Sequence, residues 1–415
     1  MKILMISGMF YPKINGSVVA VSNMMSSLVG MGNKVCLVTR GEKGSAPFEV
    51  WNGIKIVRVG EPGFSLIARI SLAFEQFRGA LKECKVEPPD VIHAHGFTSL
   101  FAGATLGICI GRPVVVSFHG IQRLWSTQAR WRNQTTLNFI LPLERALVRS
   151  ATVVLAQSNL LKEIIIRLYR VPAEKVAVVP NPIDIHRFEY GIPQSENPPV
   201  VLFVGSLMRV HGPDTLVQTL PSILEKHPQT RLLLVGKGPL KDSLSRKITE
   251  LGLGNSVSFL DEVRDTERLS EIYRSSRVVV IPLRYAGYIL SLVGEEAMAS
   301  GRPVVTTMTL DEELAKFGVV QAGSGENSLG DAVNSVLAWD AGHYESVSRV
   351  ARKYAEENFS LESVGERLER IYKHAISDTA RHDNRKPAYQ KPGLGSAGRD
   401  GATPLSRGMG GIEGL

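Results

Sequence analysis

The sequence predicts an α/β protein made of two doubly wound domains in series, and three observations carry that expectation. Between Pro199 and Pro239 the chain reads as strand, glycine turn, helix, strand and a second glycine turn. From Gly294 to Thr307 (GEEAMASGRPVVTT) a helix with two adjacent carboxylates runs into a further strand. The first 180 residues alternate Val- and Ile-rich runs with helical stretches in the same manner, and continuous apolar runs suit parallel strands covered on both faces by crossover helices.

Element by element, strands are expected at 2–7, 34–40, 54–59, 90–96, 112–120, 151–158 and 175–181 in the first half. Helices fall between them at 17–31, 64–84, 98–109, 137–149 and 159–169. The second half repeats the strand pattern at 199–206, 230–238, 256–263, 277–284, 302–307 and 318–322. Residues 1–190 form the first expected domain and 197–358 the second, with the proline-rich stretch 181–199 as the boundary. A strong helix at 361–375 is expected to pack back on the first domain. From 380 to 415 the chain is rich in Gly, Pro, Ser and Arg and poor in large apolar residues, which predicts a disordered tail.

A chain of 415 residues, 44% hydrophobic and 21% charged, is globular and long enough for two cores. Its three cysteines, Cys36, Cys84 and Cys109, contain no CxxC, so neither a disulfide framework nor a zinc site is expected. No signal peptide or membrane-spanning run is visible, which predicts a cytoplasmic protein. Charge is uneven. Residues 1–190 hold 22 Lys and Arg against 12 Asp and Glu, a net +10, and the remainder is −2. The basic half favours an anionic partner such as the inner face of a membrane, touched peripherally. The segment 121–149, with five arginines, two tryptophans and one acid, fits that interface or a helix packed over the first sheet. Nucleic acid is not expected, since no recognised module occurs.

Several local patterns point to chemistry. Asn15-Gly16 follows the first strand, where a glycine lets backbone approach a phosphate and Ser17 can cap the next helix. His119-Gly120 ends a strand, the position where ligands collect in open α/β sheets, and an imidazole there can exchange a proton. His93 and His95 share one face of their strand; with no third ligand suggested, a structural or pocket-lining role outweighs metal binding. Ser291 is placed to cap the helix carrying Glu295 and Glu296.

Taken together, Tyr11-Pro12 with Asn15-Gly16, His119-Gly120, the loop Gly205–Gly212 (GSLMRVHG) and EEAMASG around Glu296 resemble the family-4 retaining glycosyltransferases. These are enzymes of the GT-B fold, in which two Rossmann-like domains face each other across a cleft. The resemblance covers about residues 1–375. It implies transfer of a sugar from a nucleoside-diphosphate sugar to an acceptor glycan or lipid-linked acceptor, with retention, without a metal and with no cofactor; no DxD occurs in the chain. It places His119 against the transferred sugar, Gly16 and the two helix N-termini at the diphosphate, Glu296 at the ribose, and Gly236 and Gly238 in an open loop beside the base. Three positions depart from the family pattern. Ser206 and His211 stand where an arginine and a lysine clamp the diphosphate, with Arg209 as a substitute cation, and Tyr288 stands where the first of two glutamates is usual. Those departures leave a second expectation open, a non-catalytic relative acting as a binding or scaffold protein.

Overall fold

The computed structural model describes residues 1–61, 63, 66–119, 132–192, 198–284, 290–323, 325 and 327–383. Two parallel sheets organise it. The first contains β1 (Lys2–Ser7), β2 (Lys34–Arg40), β3 (Phe48–Trp51), β4 (Ile54–Val59), β5 (Val91–His95), β6 (Val114–Ser117), β7 (Val153–Ala156) and β8 (Val176–Val178), in the order β3-β4-β2-β1-β5-β6-β7-β8. The second contains β9 (Val200–Val204), β10 (Arg231–Val235), β11 (Val257–Leu260), β12 (Val278–Ile281), β13 (Val304–Thr306) and β14 (Val319–Gln321), in the order β11-β10-β9-β12-β13-β14. Every strand expected from the apolar runs is present, most of them trimmed at the ends where the run meets proline or a polar turn.

Helices cross between the strands. In the first lobe they are α1 (Gly16–Gly30), α2 (Leu66–Val86), α3 (Gly96–Ile110), α4 (Arg132–Ser150) and α5 (Asn159–Tyr169). The second lobe carries α6 (Pro213–Lys226), α7 (Lys241–Glu250), α8 (Thr266–Ser275), α9 (Leu292–Ala299), α10 (Ser328–Leu337) and α11 (Ala341–Phe359), and α12 (Leu361–Asp383) follows. The second sheet has the doubly wound order 3-2-1-4-5-6 when its strands are counted from β9, and the first repeats that order from β1 with extra edge strands. Each sheet therefore reverses direction at one point, between β1 and β5 in the first and between β9 and β12 in the second. Loops at the carboxyl ends of those strands form natural ligand sites.

One element was missed by the apolar-run reading. β3 pairs antiparallel with β4 through the turn Asn52-Gly53, both residues at positive φ (48° and 78°). An Asn-Gly pair is the sequence signal for such a hairpin, but the intervening FEVW is too polar and exposed to register as a buried strand.

The chain passes between the lobes twice, and the two passages lie side by side. Ile183 N donates to Phe359 O at 2.7 Å, and Ile183 bridges Ser360. Beyond this crossing α12 lies along α1, with Ser27 Oγ donating to Leu361 O and Asn33 Nδ2 to Glu369 Oε1 at 3.3 Å. Val364, Leu368 and Tyr372 join Ile3, Met5 and Leu37 in the first lobe's core. The helix runs to Asp383, beyond the expected end at 375 and into the stretch expected as tail. Its charged faces carry i,i+4 pairs such as Lys373–Glu369, which sustain a helix where apolar periodicity fades.

Candidate active site

The carboxyl ends of both sheets face one another, and α1 and α9 start there. Asn15 is the N-cap of α1, its Oδ1 accepting from Val18 N at 3.0 Å. The cap was expected from Ser17, which instead lies one residue inside the helix; the asparagine that replaces the family's first glycine has taken that role. Gly16 opens α1, and a methyl group there would sit 3.8 Å from Leu292 at the start of α9. The N-termini of two helices in different lobes thus meet across the cleft, each presenting free N–H groups and a partial positive charge.

Ser291 occupies the N-cap position of α9, as expected, but its side chain makes no capping bond. Its Oγ is buried without a hydrogen-bond partner. Glu296 directs Oε2 to the buried Tyr273 hydroxyl, which donates at 2.8 Å, while Oε1 accepts from no described residue. Burial pushes the Glu296 carboxyl up to about 7 against the opposing Tyr273 bond. Its neighbour Glu295 is 1% exposed and accepts from Asn181 Nδ2 at 3.2 Å across the lobe boundary. Burial holds Glu295 well above the ordinary carboxylate range.

Glu296 carries a consequence for stability. Between pH 4.5 and about 7 the native carboxyl retains a proton that the unfolded chain has released. Stability therefore falls as pH rises through that window, by up to about 3 kcal/mol from this group. The buried histidines act with the opposite sign below pH 6.5, so the difference between variants is the useful quantity. Glu296→Gln is expected to lose less stability than the parent between pH 5 and pH 8, measured by urea unfolding. Parallel curves would remove the buried-carboxyl account.

On the first-lobe side His119 follows β6. Its Nε2 lies 3.0 Å from His95 Nδ1, with the rings stacked at 17°. His93 and His95 share a strand face as expected, their centroids 4.0 Å apart. Both His93 nitrogens are engaged, Nδ1 with the Tyr372 hydroxyl at 2.6 Å and Nε2 with Ser117 Oγ at 2.7 Å. Burial lowers His93 to about 3 and His119 to about 4, and holds His95 well below its ordinary value, so the cluster is neutral near pH 7.

The loop after β9 is a 3-10 turn, Arg209–His211. Ser206 and His211, the two substituted clamp positions, bond to each other. His211 Nδ1 is 2.8 Å from Ser206 Oγ and 2.9 Å from Ser206 O, and a carbonyl only accepts, so Nδ1 carries the proton and Nε2 is left for another partner. The Arg209 side chain is exposed and makes no hydrogen bond or ion pair with a described residue. Gly238 does not keep an open loop. A methyl group there would lie 2.4 Å from Leu207 O, and Leu240 N donates to that same oxygen, so the glycine exists to let two loops zip together. Tyr288 lies outside the described residues, as do residues 121–131 of the Arg- and Trp-rich segment, both tryptophans included.

The site therefore brings Gly16 to the α9 terminus, joins His119 to His95 and Asn181 to Glu295, and pairs Ser206 with His211. Asn181 was not singled out by sequence, and its partner Glu295 was named only as a neighbour of Glu296: Asn181 sat within an apparent linker, and nothing in the spacing couples it to a helix some 114 residues later. Asp311 was also missed. Its carboxylate accepts from Asn159 N and Leu160 N, both at 3.1 Å, capping α5 of the opposite lobe. Beside it a cavity of about 620 Å³ opens between the lobes, lined by Ser158, Pro180, Glu295, Leu314 and Tyr354 among others.

Two facing doubly wound lobes with glycine loops and helix N-termini at the cleft define a two-lobed α/β class of architecture, and comparison with known proteins assigns its family. Residues 14–187 match the model for glycosyltransferase family 4, and residues 198–338 match that for glycosyl transferases group 1, together about three quarters of the chain. The chain belongs to these glycosyltransferases and has the GT-B fold. It is 28% identical over 401 residues to an uncharacterised glycosyltransferase of Methanocaldococcus jannaschii, covering 91% of this chain and 99% of that one. It is 24% identical over 396 residues to a glycogen synthase of Mycobacterium tuberculosis, covering 90% and 94%. Among solved structures it resembles sucrose-phosphate synthase from Thermosynechococcus elongatus, with TM-score 0.76, 21% identity and coverage of 91% and 99%. It also resembles Anabaena HepE in complex with UDP and glucose, with TM-score 0.67, 19% identity and coverage of 90% and 100%. The protein is an enzyme of this family, which leaves the scaffold expectation without support. Among the described residues no helix is long and apolar enough to cross a membrane.

Proposed function

We propose that this glycosyltransferase takes a nucleoside-diphosphate sugar as donor and transfers the sugar, with retention and without a metal or cofactor, to a hydroxyl of a glycan or lipid-linked acceptor held by the first lobe. The observation that carries this reading is the meeting of the α1 and α9 N-termini at Gly16 and Leu292. A diphosphate between them would receive backbone N–H groups from both lobes, which stabilises the charge that grows on it as the sugar leaves. Glu296 Oε1 is available to a ribose hydroxyl. His211 Nε2 and the Arg209 guanidinium are the groups of the β9 loop that can reach toward phosphate.

In this reading the acceptor oxygen attacks the anomeric carbon as its bond to the phosphate breaks. The acceptor proton passes to the departing phosphate oxygen. Assigning the proton to the phosphate is supported by His119, whose lowered value near 4 makes it a weak base. A lipid-linked acceptor is supported by the basic first half and by the outer face of α2, where Ile67, Ile70 and Phe74 are exposed beside Arg78.

Calorimetric titration with UDP, GDP and ADP tests the donor assignment. One nucleotide is expected to bind, and His211→Ala is expected to weaken it about tenfold, the value of roughly one charge-assisted bond. Absence of binding by all three nucleotides would sink the proposal.

A further inference from the structure

The N-terminus of α5 is completed by the other lobe. A helix leaves its first N–H groups without partners inside it. In α5 the third of them, Leu161 N, goes to its own N-cap, Ser158 Oγ, at 3.0 Å. The first two cross to the second lobe. Asp311 Oδ2 accepts from Asn159 N at 3.1 Å and Oδ1 from Leu160 N at 3.1 Å, and Asn159 Nδ2 adds a bond to Oδ2 at 3.2 Å. Both carboxylate oxygens are therefore spent on one helix end, where the partial positive charge of the terminus favours an anion.

Asp311 is fixed in its own lobe. Met308 and Leu310 before it are buried, and Thr307 Oγ1 donates to Leu283 O at 2.7 Å just past β12. The next residue, Arg284, donates from its backbone N to Val210 O at 3.1 Å, inside the Arg209–His211 turn. The loop carrying Asp311 is thus bonded, through the end of β12, to the turn that the donor reading sets beside phosphate. Against the first lobe the hold is much lighter. Ser158, Asn159 and Asp311 line the cavity of about 620 Å³, and so do Pro180 and Phe359 from the two passages between the lobes. A space of that size supplies no packed apolar contact between clasp and passages. Asn159 is exposed, so its N–H can exchange Asp311 for water at small cost.

The lobes must part for the reaction. A β-carbon on Gly16 would lie in van der Waals contact with Leu292 Cδ1, at 3.8 Å, which leaves no room there for a diphosphate to enter. We propose that Asp311 is a positioning residue of the transferase, an interlobe clasp whose carboxylate holds α5 in the closed arrangement and releases it when the lobes separate to exchange nucleotide. The reaction that the clasp serves rests on the transferase reading above, whereas the clasp itself does not. Asp311 acts through the placement of the two lobes and touches no substrate.

The test compares the full-length parent with Asp311→Ala and Asp311→Asn. Small-angle scattering on the free proteins is expected to give the parent the compact profile of this structure, and Asp311→Ala a larger radius of gyration. Asp311→Asn should give most of the same change, because an amide offers one oxygen and turns an NH2 group toward the second N–H. Coincident profiles for the parent and Asp311→Ala, or an extended parent, overturn the clasp. With UDP-glucose as donor, Asp311→Ala is expected to raise KM about tenfold and to leave kcat within twofold, because saturating donor draws the lobes together without the clasp. An unchanged KM counts against the proposal, and a matching fall in kcat and melting temperature would mark a residue that merely holds the fold. A further arm bridges Asn159→Cys and Asp311→Cys with a short bismaleimide, in a Cys109→Ser background because Cys109 is exposed. Turnover is expected to fall at least about tenfold relative to the same protein left unbridged. Full activity of the bridged protein would show that the lobes need not part here, and the proposal would fall. Absence of UDP-glucose turnover in the parent would instead count against the donor assignment, and the scattering would still decide the clasp.

Discussion

Gly212→Ala is expected to destabilise the protein by about 3 kcal/mol or more and to abolish nucleotide binding. Gly212 has φ 69°, and a β-carbon on it would lie 1.8 Å from the Pro282 carbonyl oxygen. That oxygen belongs to the backbone at the end of β12, so no side chain can swing aside. Relief requires moving either the turn that holds Arg209 and His211 or the segment that leads to α9. Leu216 N also donates to Gly212 O, so the start of α6 would move with it. The urea midpoint and a nucleotide titration measured on the same sample check both effects. A variant with the parent's midpoint would show that the two loops are not held at this separation.

Arg302→Met is the second large effect, expected to cost about 3–5 kcal/mol. Arg302 is wholly buried and faces no carboxylate. Its guanidinium donates instead to the carbonyls of Ser300 (3.2 Å) and Ser276 (3.1 Å) and to Gly191 in the connection between the lobes. The Tyr344 ring lies 5.7 Å away and stacks closely with Arg277 at 3.7 Å. Methionine fills similar volume but leaves those carbonyls without donors in a dry environment. Differential scanning calorimetry should show the loss, and Arg302→Lys should recover only part of it, because a single ammonium cannot reach three divergent oxygens. Full recovery by lysine would mean that the charge alone matters.

Most of the fold could be read from the sequence because its signals are local. A parallel strand buried on both faces writes a continuous Val and Ile run, and β2, β4 and α5 fall at their expected bounds. The site was legible only in part. Glycines at the ends of β9 and β10 marked the right loops, but for a reason sequence does not show: Gly238 permits one loop to lie against another. Capping could not be resolved between Asn15 and Ser17, since either side chain can serve and only the backbone's entry angle selects. Asn181–Glu295 and Asn159–Asp311 join residues more than a hundred positions apart, and a single sequence carries no trace of such pairings.

The order in which the lobes are completed during synthesis follows from α12. The first sheet is synthesised early, yet Val364, Leu368 and Tyr372 belong to the same apolar cluster as Ile3, Met5 and Met25. Until the residues of α12 emerge, those early residues present bare hydrocarbon to solvent or to a chaperone. The lobe made first is therefore the one completed last, and a truncation before residue 361 should yield an aggregation-prone N-terminal half even though its eight strands are intact.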